Sequence, residues 1–320
     1  MKSPAFDLIA IGNVCVDIYV PPYAPPQRGG ITILPSLNVL PGGNGANTAI
    51  TARRLGLRTA LAGVLGDDVF GRYLRGVLEE EGVDTSLLEL IPGEASPSTL
   101  VLNDASGERS FVHHPGSNAR YRLPPGALDA HCRVFHFAAP ELLPAFWPRG
   151  ALAAARELKA RGRRLSLDTF AVPDPGDPMS VAREHSPLLS LMEMVFPNES
   201  EARLITGKNA LLDVTESLHS LGVRIVVVKR GEKGALLSAD GVTEEVPASS
   251  VEVIDTCGAG DSFSAGFIAA TLGGLDPRAS TRVGCALGTL CVGYQGALTG
   301  TADPLRLEAA RRLLGTVQPT

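Results

Sequence analysis

Val251-Glu252-Val253-Ile254-Asp255-Thr256-Cys257-Gly258-Ala259-Gly260-Asp261 runs directly into Ser262-Phe263-Ser264-Ala265-Gly266-Phe267-Ile268-Ala269-Ala270. The first four residues read as a strand, the last nine as a helix, and a glycine-rich turn joins them. The first N–H groups of a helix have no intrahelical partner and lie at the positive end of the macrodipole. Small residues let an anion reach those amides, so Gly258, Ala259 and Gly260 form a candidate phosphate site. Asp261 stands beside it on the first helical turn. Taken alone, an acid at a helix start is explained by the dipole. The competing role is a base that takes a proton from a hydroxyl attacking a phosphate held in the turn.

Outward from this stretch the chain alternates. Asp7–Gly12 is a short apolar run ending at glycine, as a buried parallel strand does. Gly42 and Gly43 precede a helical stretch, Ala46–Leu55, then a strand over Thr59–Leu65 and a helix over Val69–Glu80. Strand and helix patterns recur at Val134–Phe137, Ala151–Lys159, Arg164–Leu167, Glu199–Ile205 and Arg224–Val228. This rhythm predicts an α/β fold with a parallel sheet. Between Leu87 and His114 it changes: Thr99–Leu102 and Arg109–Val112 flank Asn103–Glu108 as a hairpin. Together with Ile31–Leu34, the hairpin predicts a small sheet apart from the main core. His113 and His114 are adjacent on that strand, so their rings point to opposite faces and do not chelate one metal.

Composition excludes several classes. The chain has 320 residues, a hydrophobic fraction of 44% and a charged fraction of 20%, as a globular domain does. Lys plus Arg is 29 against 34 for Asp plus Glu, a net charge of −5, with no basic run, so nucleic acid is not an expected partner. No apolar stretch is long enough to span a bilayer, and the N-terminus carries no signal-peptide pattern. Five widely spaced cysteines without a Cys-x-x-Cys pair fit a reduced, cytoplasmic setting better than a disulfide or zinc framework. No long linker or repeat divides the chain, so one domain over residues 1–320 is expected, its lid drawn from about residues 18–40 and 97–115.

The string Asp255-Thr256-Cys257-Gly258-Ala259-Gly260-Asp261 resembles the D-T-x-G-A-G-D signature of the ribokinase-like, or PfkB, family of carbohydrate and nucleoside kinases. Further landmarks of that family follow in order. Gly12-Asn13-Val14-Cys15-Val16-Asp17 resembles G-x-x-x-x-D, and Gly42-Gly43-Asn44-Gly45-Ala46-Asn47-Thr48-Ala49 resembles G-G-x-x-x-N-x-A. Gly63 to Gly71 matches G-x-x-G-x-D-x-x-G, Asn198 to Glu201 matches N-x-x-E, and Lys229 to Gly234 matches K-x-G-x-x-G. The resemblance spans roughly residues 7 to 300, and six landmarks in order are specific where any one is weak.

The resemblance implies a three-layer α/β/α domain with a mostly parallel central sheet and a small β-sheet lid. It implies Asp261 as base, with the Gly258, Ala259 and Gly260 amides stabilising the phosphoryl charge. It places Asp17, Gly42, Gly43 and Asn47 at the sugar, and Asn198, Lys229, Gly231, Gly234 and Thr256 at the nucleotide. Glu201 would organise Mg2+ through water, and Asp255 would help hold a monovalent cation such as K+ near Gly296-Ala297. Each residue also has a plainer role. Asp17 could be a surface acid, Gly42-Gly43 a simple turn, and Asn198 with Glu201 a capping box. Lys229 receives no catalytic weight here, Cys257 reads as a small filler, and Glu141 as an occasional ligand contact.

The expected activity is ATP-dependent phosphorylation of the hydroxymethyl group of a small sugar, ribose-, fructose- or keto-deoxy-sugar-like. A nucleoside kinase is the near alternative, and a non-catalytic sugar or nucleotide sensor the distant one. A dinucleotide oxidoreductase is disfavoured because no G-x-G-x-x-G follows the first strand. The expected partners are ATP, the sugar or nucleoside, and a second copy of the chain through the lid, because open edge strands invite pairing.

Overall fold

The computed structural model describes residues 5–23, 26–103, 109–174, 176–177 and 179–315. The chain opens with β1 (Phe6–Gly12), β2 (Cys15–Val20) and β3 (Asn38–Gly42), then α1 (Asn44–Arg54), β4 (Thr59–Gly66), α2 (Val69–Glu80) and β5 (Leu88–Ile91). The hairpin β6 (Ser98–Asn103) and β7 (Arg109–His114) leads to α3 (Pro125–Asp129), β8 (Cys132–Ala138), α4 (Arg149–Ala160) and β9 (Arg164–Asp168). Then come α5 (Ser180–Leu189), β10 (Met194–Val195), α6 (Glu199–Thr206), α7 (Leu211–Ser220), β11 (Ile225–Lys229), β12 (Ala235–Ala239) and β13 (Val242–Val246). Four helices close the described chain: α8 (Ala259–Leu272), α9 (Pro277–Val292), α10 (Thr299–Ala302) and α11 (Pro304–Gly315).

Among the described residues the strands form two sheets. The large one has the order β13-β12-β11-β10-β9-β8-β1-β4-β5 and is parallel except for the β11–β12 and β12–β13 pairings. Its central strands are apolar on both faces because helices cover both. In β1, Ile9 and Ile11 pack with residues of α4 to α7, whereas Leu8 packs toward Phe263 and Phe267 of α8 and Ala10 toward α1. This three-layer arrangement is the one expected. Helix α8 is buried nearly all round, sandwiched between the sheet, α1 and α9. Its run of Ala, Gly and Ser lets the neighbouring backbones come close.

The small sheet has the order β3-β2-β6-β7. The hairpin appears where expected, and its turn, Asp104–Glu108, lies outside the described residues. Ile31–Leu34, however, is not a strand. Both isoleucines are 86% exposed, and β2 instead pairs with Asn38–Gly42, which leads straight into the α1 cap. The strands of the small sheet therefore come from 15–20 and 38–42 together with 98–103 and 109–114, and among the described residues of 21–37 there is no strand.

Val251–Ile254 is also not a strand. The amides of Ile254 and Asp255 donate to the Val292 carbonyl at the end of α9, and the sheet ends at β13. Its alternation follows from a different surface: Val251 and Val253 line a cleft described below. The landmark Gly63–Gly71 is structural. Asp68 caps α2 by accepting from the Gly71 amide at 2.7 Å, and it also accepts from Ser96 Oγ at 2.6 Å and the Ser96 amide at 2.8 Å, which ties the approach to β6 onto the helix start. Among the described residues, no helix is long and apolar enough to cross a membrane.

Candidate active site

In a parallel sheet the carboxyl ends of all strands lie at one edge, where ligands bind. Here that edge gathers Asn13 after β1, Asp168 ending β9, Asn198 after β10 and Lys229 ending β11. The N-termini of α1 and α8 point at the same place. The first is capped without a side chain by Gly43, with the Asn44 amide donating to Asn13 Oδ1 at 2.9 Å. The second begins at Gly258, whose φ of 75° is left-handed and whose missing Cβ would collide with Ala297. Only glycine meets both demands.

Asp261 is 4% exposed on the first turn of α8. Asn44 Nδ2 donates to its Oδ1 at 2.9 Å and Asn47 Nδ2 to its Oδ2 at 2.8 Å. Burial and then the charge of Asp168 raise its pKa to about 7, and the Asn47 amide, Lys229 and the Asn44 amide pull the other way. A cavity of about 250 Å³ is lined by Asp261, Gly258, Gly260, Asn44, Asp168, Thr169, Asn198, Glu201 and Lys229, among others. Beyond Lys229, Gly231 and Gly260 lies a larger cleft of about 610 Å³. Its walls include Gly234, Val251, Val253, Thr256, Ala259, Phe263 and Val292.

Sequence reasoning placed most of these residues and missed four. Asn44 lies inside a landmark but was not singled out; its signal is an amide three residues before Asn47, on the same helix face. Asp168 closes an apolar strand run, where an acid facing the ligand edge is a readable signal. It accepts from Lys229 Nζ at 2.5 Å and from Ser264 Oγ at 2.9 Å. Ser264 and Thr169 carry no sequence signal of their own.

Asn198 and Glu201 form the capping box that starts α6. The Glu201 amide donates to Asn198 Oδ1, and the Asn198 amide donates to Glu201 Oε2, both at 2.9 Å. Thr169 Oγ1 donates to the same Oε2 at 3.0 Å. Burial raises the Glu201 pKa, Lys229 opposes it and Asp168 adds to it. The capping box is therefore formed, and the same two side chains stand in the cavity wall. Among the described residues no cluster of three His, Cys, Asp or Glu side chains could hold a metal on its own. A carboxylate in the wall of a phosphate-sized cavity suits Mg2+, which keeps its waters and borrows phosphate oxygens.

Asp17 lies mid-strand in β2, not at a strand end. Across the lid sheet it stands beside Thr99, which pairs with His113, forming a polar row on one face. The Cys15 thiol approaches Asp17 Oδ1 at 3.3 Å, and Thr99 Oγ1 lies 3.0 Å from His113 Nδ1. Burial pushes the Asp17 carboxyl up to about 6. A Cβ on Gly42 would collide with that carboxylate, so glycine there makes room for it.

Asp255 anchors the turn before α8. Its Oδ1 accepts from the Cys257 amide at 2.9 Å, and its Oδ2 from Tyr19 Oη and the Gly296 amide, both at 2.8 Å. Burial works against its charge, but the Cys257 and Gly296 amides and the Tyr19 hydroxyl hold the carboxyl below its ordinary range. Glu141 does not line the cavity; its side chain is 8% exposed, with Oε1 2.8 Å from His185 Nε2.

A buried carboxyl, an amide-lined helix start and an adjoining cleft together suit phosphoryl transfer. A family model described as pfkB family carbohydrate kinase matches residues 5–303, and the chain belongs to that family. It is an ATP-dependent kinase for a sugar or a nucleoside. A ribokinase from Haemophilus influenzae is 27% identical over 91% of this chain and 93% of its own length. A nucleoside kinase from Methanothermobacter thermautotrophicus is 28% identical over 93% of each. Among solved structures, Arabidopsis thaliana ribokinase complexed with ribose and ATP superposes with a TM-score of 0.81 at 25% identity, covering 98% of this chain and 99% of that one.

Proposed function

We propose that this chain transfers the γ-phosphoryl group of ATP to a hydroxymethyl oxygen of a small, uncharged sugar, with Asp261 as general base. The observation that carries this is Asp261 itself: a buried carboxyl with both oxygens oriented by asparagine amides, on the rim of the helix start that presents the Gly258–Gly260 amides. The two amides aim the carboxyl, and burial keeps it a competent proton acceptor near neutral pH. The Gly258, Ala259 and Gly260 amides take up charge on the phosphoryl oxygens. The cleft bounded by Gly231, Gly234 and Thr256 receives the nucleotide, with Val251 and Val253 as apolar walls for its base.

Glu201 and Asn198 would hold magnesium through water; the ion supplies charge neutralisation on the phosphates. Asp255 already accepts hydrogen bonds from Tyr19 and from the Cys257 and Gly296 amides, so its first role is to fix the turn. A potassium titration of turnover tests that assignment: strong activation would make Asp255 an ion ligand.

The sugar lies between Asp261 and the lid row. Asp17 accepts from two hydroxyls at once, Gly42 and Gly43 let the ring touch backbone, and Asn47 orients the base. Two carboxylates on this side disfavour a sugar acid, whose own charge they would repel. A panel of neutral sugars, sugar acids and nucleosides, read by ADP release at saturating Mg-ATP, tests the proposal. Preference for a nucleoside would replace the sugar assignment, and preference for a sugar acid would refute the role given to Asp17. No ADP release with any of them would favour a sensor.

A further inference from the structure

Lys229 and Gly260 face each other where the two cavities meet. Both residues, with Gly231, line the 250 Å³ cavity that holds Asp261 and the 610 Å³ cleft next to it. The ammonium is so close to the anion turn that a Cβ placed on Gly260 would come within 2.9 Å of Lys229 Nζ. One counterion holds it there. Asp168 Oδ1 is 2.5 Å from Nζ and also accepts from the Thr169 amide at 3.1 Å, while Asp168 Oδ2 accepts from Ser264 Oγ of α8 at 2.9 Å. The pair is nearly buried, with side-chain exposures of 16% and 4%. A buried ion pair is a poor device for stability, because desolvation offsets most of its attraction. Its place on the path from nucleotide to acceptor calls for another account.

We propose that Lys229 is a catalytic cation that follows the transferred phosphoryl group from cleft to acceptor, and that Asp168 is the positioning residue that parks it over the anion turn. This rests on the kinase reading with Asp261 as base. In the step, the acceptor hydroxyl gives its proton to Asp261 as its oxygen bonds to the γ-phosphorus. The bond from that phosphorus to the β,γ-bridging oxygen breaks, and its electron pair leaves with ADP. The three equatorial oxygens carry charge throughout, and Lys229 adds a mobile positive charge to the fixed amides of Gly258 to Gly260. Without nucleotide, Asp168 neutralises the ammonium; the incoming phosphates compete with it for the same charge.

The pair also acts on the base. The groups facing Asp261 are Asp168 on β9, Lys229 on β11, the Asn44 and Asn47 amides on α1, and the thiols of Cys15 on β2 and Cys291 on α9. Glu201 on α6 and His136 on β8 couple to Asp168 and Lys229, and burial pushes the His136 pKa down to about 4, which keeps it neutral. Removing the negative charge of Asp168 lowers the Asp261 pKa, and removing the positive charge of Lys229 raises it.

The experiment compares K229M, K229R, D168N and D261N with the wild type, using Mg-ATP and the sugar that gives the highest turnover. Since kcat/KM reports the free enzyme, its acid limb should move to lower pH in D168N and to higher pH in K229M. K229M should lose about 10²–10³-fold in kcat, the usual cost of removing one charge-stabilising donor, with the acceptor KM changed less than about threefold. K229R should recover part of the loss. Circular dichroism and ATP binding check that each variant is folded. If K229M does not fold, the D168N limb decides. A K229M rate within about threefold of wild type, or a D168N limb that stays put or moves upward, overturns the inference while an inactive D261N leaves the base assignment standing. An active D261N overturns that assignment instead.

Discussion

Asp261 sits where burial opposes its charge, and the surrounding side chains decide how far. Desolvation and the Asp168 carboxylate raise its pKa to about 7, against the Asn47 and Asn44 amides and Lys229. A base works only when ionised, so kcat/KM should fall as pH drops through about 7 and level off above it. A profile flat from pH 5 to 8 would refute the role. Asp261→Asn keeps both amide neighbours and removes the acceptor. Its kcat should fall by about 10²–10⁴-fold with little change in ATP affinity, measured by single-turnover rates and nucleotide titration. Asp17 illustrates the same physics on the small sheet, where burial first and then the charge of Asp255 lift a carboxyl to about 6 against the Cys15 and Thr99 hydrogen bonds.

Helix starts are the elements that carry chemistry here, and each is capped by a different device. Helix α6 uses the reciprocal box of Asn198 and Glu201, whose glutamate also faces the cavity. In Glu201→Gln the side-chain oxygen can still take the Asn198 amide, so the unfolding free energy should fall by no more than about 1 kcal/mol, as a conservative cap change allows. The magnesium concentration for half-maximal rate should rise clearly. A lower melting midpoint with an unchanged magnesium curve would leave Glu201 as a cap alone. Helix α2 provides the contrasting case, since Asp68 caps it far from the cavity and also binds Ser96. Asp68→Ala should cost about 1–2 kcal/mol in urea denaturation, the range for a lost N-cap, and leave the ATP KM unchanged. An altered KM would show that the α2 start communicates with the nucleotide cleft.

At the scale of the molecule, the small sheet is tied to the core by Val16 of β2, which packs with α1, α2 and β4, and by side-chain hydrogen bonds. Tyr19 of β2 donates to Asp255, and Asn38 of β3 donates to Gln295 Oε1 at 2.9 Å. A four-stranded sheet of this size buries little surface by itself. We expect sugar to protect the amides of Thr99–Leu102 and Ser110–His114 from hydrogen exchange. ATP alone should protect mainly Lys229–Gly234 and Cys257–Gly260. Hairpin amides that no turnover-supporting sugar protects would end the lid assignment. Exposed Ile31, Ile33, Phe111 and Val112 offer apolar surface around this sheet for a second copy of the chain. Sedimentation at several concentrations measures whether the chain pairs, and loss of pairing in Phe111→Asp would locate the interface.

Motifs whose chemistry is local were legible from the sequence. The glycine turn into α8, the Asn198–Glu201 box and the alternating rhythm each depend on residues within a few positions of one another, so spacing alone reveals them. Ile31–Leu34 and Val251–Ile254 misled because a short apolar alternation states only that one face avoids water. The first lies exposed, and the second forms the wall of a cleft. The partners that give the site its electrostatics were not legible. Asp168 and Lys229 are 61 residues apart, Asn44 and Asp261 are 217 apart, and Tyr19 and Asp255 are 236 apart. By itself the sequence determined the fold class, the helix start that can hold a phosphate and the carboxyl beside it, because hydrogen-bonding geometry and hydrophobic periodicity are local. Only the tertiary structure decided which charges face that carboxyl, and therefore its pKa, because strand order across the sheet sets those distances and no spacing along the chain encodes them.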